Sequence, residues 1–106
     1  MKQGTIYRSS DNASYYPYFI IAQTDQLREF ATRVIIPLAR RSQGIQPISK
    51  VNPVVNIAGE EFILLAHILQ TVFCDELDDE NIVARRTDLR DVIVDAVDFA
   101  TTGSQR

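Results

Sequence analysis

Two hydrophobic periods divide the chain. Residues 5–73 carry short β-branched and aromatic runs cut by Pro, Gly, Asn and Ser, a strand-and-turn pattern. From Thr87 onward the period changes to that of a helix. The first runs predict a strand at Thr5-Ile6-Tyr7, a polar turn-rich segment at 8–15 and a second strand from Tyr16 to Ala22. Arg33 to Leu38 reads as a third strand. Pro17 and Pro37 cannot donate to a ladder, so each is expected at a strand start, an edge or a bulge. Residues 39–52 hold Ser42, Gly44, Pro47 and Ser49 without periodicity and read as a long surface loop. Val54 to Ile57 reads as a fourth strand, Ala58-Gly59-Glu60-Glu61 as a hairpin turn and Phe62 to Ala66 as a fifth strand. His67 to Phe73 suits a helical face or a strand equally, and 75–83 reads as a charged loop.

The terminal helix has the clearest signature. Leu89, Val92, Ile93, Ala96 and Ala100 recur at helical spacing, widened by Val97, while Asp91, Asp95 and Asp98 lie largely on the other side. Thr87 is the expected N-cap, with Asp88 in the first turn. Thr101 and Thr102 weaken the helix, and Gly103 can adopt the left-handed conformation that ends it.

Composition narrows the class. With 106 residues, the chain is expected to form a single domain over 1–106, large enough for a core without metals or disulfides. Hydrophobic residues make up 45% and charged residues 24%, as in ordinary globular chains. No apolar stretch approaches the roughly 20 residues of a membrane helix. The start, Met1 to Thr5, has no signal-peptide core, and Cys74 is the single cysteine. Both features lead to the expectation of a cytoplasmic protein. A net charge of −3 argues against nonspecific binding to nucleic acid. Arg28, Arg33, Arg40, Arg41 and Lys50 make the middle basic. Asp75, Glu76, Asp78, Asp79 and Glu80 form an acidic run, read as a solvated loop in preference to a docking patch.

No phosphate loop, HExxH or CxxC occurs, and His67 lacks a serine elbow. His67 and Cys74 are therefore read as structural residues. No catalytic residue, metal ligand or cofactor is assigned. An acid–base ribonuclease pairing Arg with Asp or Glu leaves little sequence signal and stays open. Tyr15, Tyr16, Tyr18 and Phe19 could stack bases, but no basic residues interleave them. They are better read as split between the two faces of a strand.

Three blocks carry a resemblance. Tyr18-Phe19-Ile20-Ile21-Ala22-Gln23-Thr24-Asp25 resembles Phe-Val-Asp-Val-Gln-Ser-Asp of the CcdB toxin family. Arg33-Val34-Ile35-Ile36-Pro37-Leu38 resembles that family's Arg-x-Val-Ile-Pro-Leu. Pro53-Val54-Val55-Asn56-Ile57 resembles its Pro-Val-Val-His-Ile, followed by an acidic turn and an aromatic, here Phe62. The resemblance implies a mainly β fold, an SH3-like antiparallel barrel of CcdB/MazF type with a C-terminal helix. It implies a homodimer that poisons DNA gyrase by binding the A subunit and trapping cleaved DNA, without chemistry of its own. It also implies a cognate CcdA-like antitoxin whose flexible tail folds on binding.

Carried over residue by residue, the gyrase contacts fall on Gln26 and Leu27 after the first block. They also fall on Asp98, Thr101, Thr102, Gly103 and Ser104 at the helix end. The family's best-known terminus, Phe-Trp-Gly-Ile, is matched here only at Gly103. Thr102 stands in place of Trp, Ser104 in place of Ile, and Gln105-Arg106 extend the chain. Loss of such an anchor costs about 2–4 kcal/mol at an otherwise unchanged interface. Arg8, Arg40 and Arg41 are the expected antitoxin contacts, on the argument that an acidic tail favours arginines. The dimer interface is expected in the run 64–73 with part of the terminal helix. Two alternatives accompany this reading: a MazF-like endoribonuclease, since fold does not set function, and a homologue that binds antitoxin but has lost gyrase poisoning.

Overall fold

The computed structural model describes residues 2–9, 16–43 and 51–103. Among these residues, seven strands form one antiparallel sheet: β1 (Thr5–Arg8), β2 (Tyr18–Ile21), β3 (Thr32–Arg40), β4 (Val54–Ile57), β5 (Glu60–Leu64), β6 (Gln70–Phe73) and β7 (Ile82–Arg85). Their order is β4-β5-β3-β2-β1-β7, and β6 pairs with β3 outside this path. The sheet curls into a half-barrel around the C-terminal helix α1 (Arg90–Thr102).

The long β3 explains the curl. Thr32 to Ile35 pair with β6, whereas Leu38 to Arg40 pair with β5, and β2 runs along the opposite side. Pro37 sits at the changeover between the two partners and is buried in the middle of the sheet. The edge or bulge expected from its missing N–H is therefore not what the fold uses. The Pro37 carbonyl accepts from Leu65 N at 3.0 Å, so the imide nitrogen points to that same side, into the gap between β5 and β6. The β2 ladder loses nothing. Tyr16 and Pro17 precede β2 rather than belonging to it.

Alternation along the strands places apolar side chains on both faces. Ile6, Ile20, Ile36, Leu38, Phe62 and Leu64 form the main core with Leu89, Ile93 and Ala96 from the helix end of the chain. Tyr7, Ile21 and Ile35 line the other face, where Phe19, Val72, Leu77 and Ile82 pack against them.

Several element boundaries differ from those the sequence predicts. The hairpin turn is only Ala58–Gly59, both at positive φ (53° and 87°), as a two-residue turn between twisted strands requires. Glu60 and Glu61 already lie in β5. The ambiguous stretch resolves into a 3-10 turn (Ala66–Ile68) followed by β6. The charged 75–83 segment contains two 3-10 turns and leads into β7, a strand the acidic run conceals. The helix is preceded by a 3-10 turn at Thr87–Leu89, so Thr87 caps nothing and Asp88 instead takes Arg86 at 2.8 and 2.9 Å. At the far end Gly103 is left-handed (φ 70°) and its N–H reaches Phe99 O at 2.9 Å, as its residue type implies. In the expected 39–52 loop, β3 extends to Arg40 and a 3-10 turn follows, while 44–50, like 10–15, lie outside the described residues.

Candidate partner-binding surfaces

The expected target contacts come from two separate parts of the fold. Gln26 and Leu27 lie in a 3-10 turn (Asp25–Leu27) after β2, opened by Thr24, whose hydroxyl accepts from Gln26 N at 3.3 Å. Both side chains are exposed. The other group sits at the end of α1, a helix that packs on the 66–68 turn and on its own entry turn. There Thr101 Oγ1 donates to Val97 O at 2.8 Å, and Thr102 Oγ1 donates to Asp98 O at 2.7 Å. Both hydroxyls are thus satisfied one turn back, and the helix end is exposed from Ala100 through Gly103. Ser104 lies outside the described residues.

The connection after β2 is rigidly built. Arg33 is buried, and its guanidinium reaches three carbonyls: Phe30 O at 2.6 Å, Thr32 O at 2.7 Å and Arg28 O at 2.7 Å. No carboxylate pairs with it among the described residues. Gln23 adds bonds to Thr32 O and from Val34 N. A planar fork with five donors suits such a cluster of carbonyls, which a single ammonium would not span. The sequence counts Arg33 in the basic middle of the chain; the fold buries it.

The expected antitoxin contacts have acidic neighbours. Arg40 Nε lies 3.1 Å from Glu60, with its guanidinium 6.0 Å from the ring centroids of both Tyr18 and Phe62. Arg41 lies 3.7 Å from Glu61. Ser42 and Gly59 complete an open cleft between them. An acidic tail would meet arginine–glutamate pairs there, a weaker attraction than the arginines alone suggest. Arg8 is exposed at the end of β1.

The remaining candidates have structural partners. His67 Nδ1 lies 3.1 Å from Asn52 Nδ2, a buried amide that also reaches Leu64 O at 3.2 Å. The Cys74 thiol lies 3.6 Å from Phe30 O. Tyr18 packs edge-on against Phe62, and Phe19 stacks on Tyr7 on the opposite face, so these two aromatics form no common platform. Among the described residues no three His, Cys, Asp or Glu side chains group as a metal site. No described helix is long and apolar enough to cross a membrane.

The expected dimer run divides into a buried start, 64–66, and a stretch from 67 to 73 that is exposed or half-buried. Leu64, Leu65 and Ala66 are buried, whereas Ile68 and Phe73 are exposed. Phe30 is exposed as well, a residue that sequence reasoning passed over. Its only signal is position, an aromatic inside a polar turn.

The family model for the CcdB protein matches residues 3–103. The chain belongs to the CcdB family. No curated protein matches it in sequence. Among solved structures, it is similar to an endoribonuclease in complex with its cognate antitoxin from a mycobacterial species. That likeness has a TM-score of 0.67 over 100% of this chain and 99% of the other, at 18% identity. It reflects a shared fold, the curled half-barrel common to CcdB and MazF-type proteins. The match extends through Gly103, the left-handed residue that ends α1 after Thr101 and Thr102.

Proposed function

We propose that this protein is the toxin of a type II toxin–antitoxin pair and acts by binding the DNA gyrase A subunit, trapping the cleaved-DNA complex. The observation that carries the reading is membership of the CcdB family across residues 3–103, with the 25–27 turn and the helix end both exposed. The toxin works as a homodimer in the cytoplasm and does no chemistry itself. A cognate CcdA-like antitoxin neutralises it, a partner consistent with the antitoxin complex of the structurally similar mycobacterial protein. Thr101, Thr102 and Gly103 meet the target with methyl groups and backbone, where the family's best-known terminus uses aromatics.

A gyrase cleavage assay tests this. Purified protein, gyrase and ATP are incubated with supercoiled plasmid, and linear DNA is scored after detergent and protease. Linear DNA that disappears on truncating residues 102–106 is expected. Unchanged poisoning by the folded truncation would sink the helix-end contact, and no linear DNA with gyrase from the source organism would sink the gyrase reading.

A second reading has a specific observation behind it. The cleft that holds Arg41, Glu60 and Glu61 beside Arg40 combines acid, base and cation on a fold shared with an endoribonuclease. Cleavage of naked RNA, abolished by Glu60→Gln, would favour it over gyrase poisoning.

A further inference from the structure

Three of the five exposed large apolar side chains among the described residues fall in two neighbouring segments: Leu27, Phe30 and Phe73. Phe30 and Phe73 are each 59% exposed. Scattered single apolar residues on a surface carry no message, but this grouping is not scatter. The backbone brings the two aromatics to one end of the β3–β6 ladder. Phe73 pairs with Thr32, Cys74 N donates to Ala31 O at 2.8 Å, and the Cys74 thiol lies 3.6 Å from Phe30 O. Phe30 N in turn donates to Leu27 O at 3.1 Å.

We infer that Leu27, Phe30 and Phe73 form an anchoring patch for the target protein, centred on the two phenylalanines, and that the target surface meeting it is apolar with a basic rim. This rests on the reading of the chain as a gyrase-binding toxin and extends the contact beyond Gln26 and Leu27. The patch is held ready for binding. Buried Arg33 ties the carbonyls of Arg28, Phe30 and Thr32, so the exposed aromatic sits on a fixed backbone and little ordering entropy is lost on association. Rigid aromatic anchors of this kind dominate interface energetics. A patch here also supplies the aromatic contact that Thr102 at the helix end does not.

Charge selects the occupant. Glu29, Asp75 and Glu76 are exposed in the same two segments, against Arg28 as the exposed cation. None of the three carboxylates forms an ion pair among the described residues. Such a rim complements lysines and arginines and repels nucleic acid and anionic lipid. It also disfavours a second copy of the chain, because a two-fold contact sets this patch against itself and acid against acid. Ile68 and the helix are left for self-association.

The test is binding of the full chain to the gyrase A subunit, measured by calorimetry at low and high salt, with light scattering on the free protein. Phe30→Ser with Phe73→Ser changes two exposed positions and is expected to leave the melting curve and oligomeric state unchanged while weakening binding by about tenfold or more. Asp75→Lys with Glu76→Lys keeps the aromatics and is expected to weaken binding too, with a reduced salt dependence. Wild-type binding matched by both variants overturns the patch and leaves the gyrase reading intact. A change of oligomeric state in the phenylalanine variant also overturns it, by making the patch a self-interface. Absence of wild-type binding overturns both the patch and the gyrase reading.

Discussion

Tyr7 shows how much one atom matters in a small fold. Its side chain is buried to 1% exposure and its ring stacks on Phe19, yet the hydroxyl finds no hydrogen-bond partner among the described residues. A buried, unsatisfied hydroxyl costs about 1–3 kcal/mol. Tyr7→Phe keeps the ring and is expected to stabilise the protein by about 1 kcal/mol, read as a higher urea midpoint at unchanged slope. Burial first, then the nearby Asp79 carboxylate, pushes the Tyr7 phenol above its ordinary 10.0. In alkali the unfolded chain therefore loses this proton before the folded one. Stability is intact below pH 10 and declines as pH rises above it toward the folded value. The phenylalanine variant should lack that part of the alkaline decline. The sequence marks Tyr7 as a strand residue by its alternation, but burial of the oxygen depends on Leu77 and Ile82, which arrive from a distant segment.

At the scale of elements, β3 and the turn before it belong together. Arg33 lies in the strand but secures the turn. Arg33→Ala would leave the carbonyls of Arg28, Phe30 and Thr32 without their shared donor, a loss of about 2–3 kcal/mol. Faster proteolytic cleavage within 28–31 is expected alongside a lower urea midpoint. Arg33→Lys should recover part of the stability, since an ammonium reaches fewer of the three carbonyls. The strand was readable from Arg33 to Leu38 because its β-branched run is dense. Its extension to Arg40 and its place in the sheet were not. A proline looks like an edge signal until the neighbouring strand is known to be interrupted opposite it. The acidic run misled in the same way. Charge described the turns at 74–81 correctly but hid β7, whose pairing with β1 supplies what its short apolar pattern lacks.

Across the whole molecule, the helix and sheet depend on one core. Ile93 and Ala96 are fully buried in a core that also holds Ile6, Ile20 and Ile36, more than fifty residues earlier in the chain. Ile93→Ala is expected to cost about 2–5 kcal/mol and to lower helix and sheet signals in one shared transition. Separate transitions in far-UV and near-UV circular dichroism would show that the helix melts alone. By contrast, the exposed end of α1, from Ala100 through Gly103, can change without disturbing that core.

The sequence alone determined the strands with dense β-branched runs, the terminal helix, its glycine stop and the family pattern, because each is written in local periodicity and backbone preference. The tertiary structure decided which strands are central, where Arg33 goes, which arginines meet glutamates and which apolar residues stay outside. Those outcomes depend on pairing between residues distant in the chain. Exposure belongs to the packed molecule, so Phe30 and Phe73 became visible as a surface only after β6 was laid beside β3.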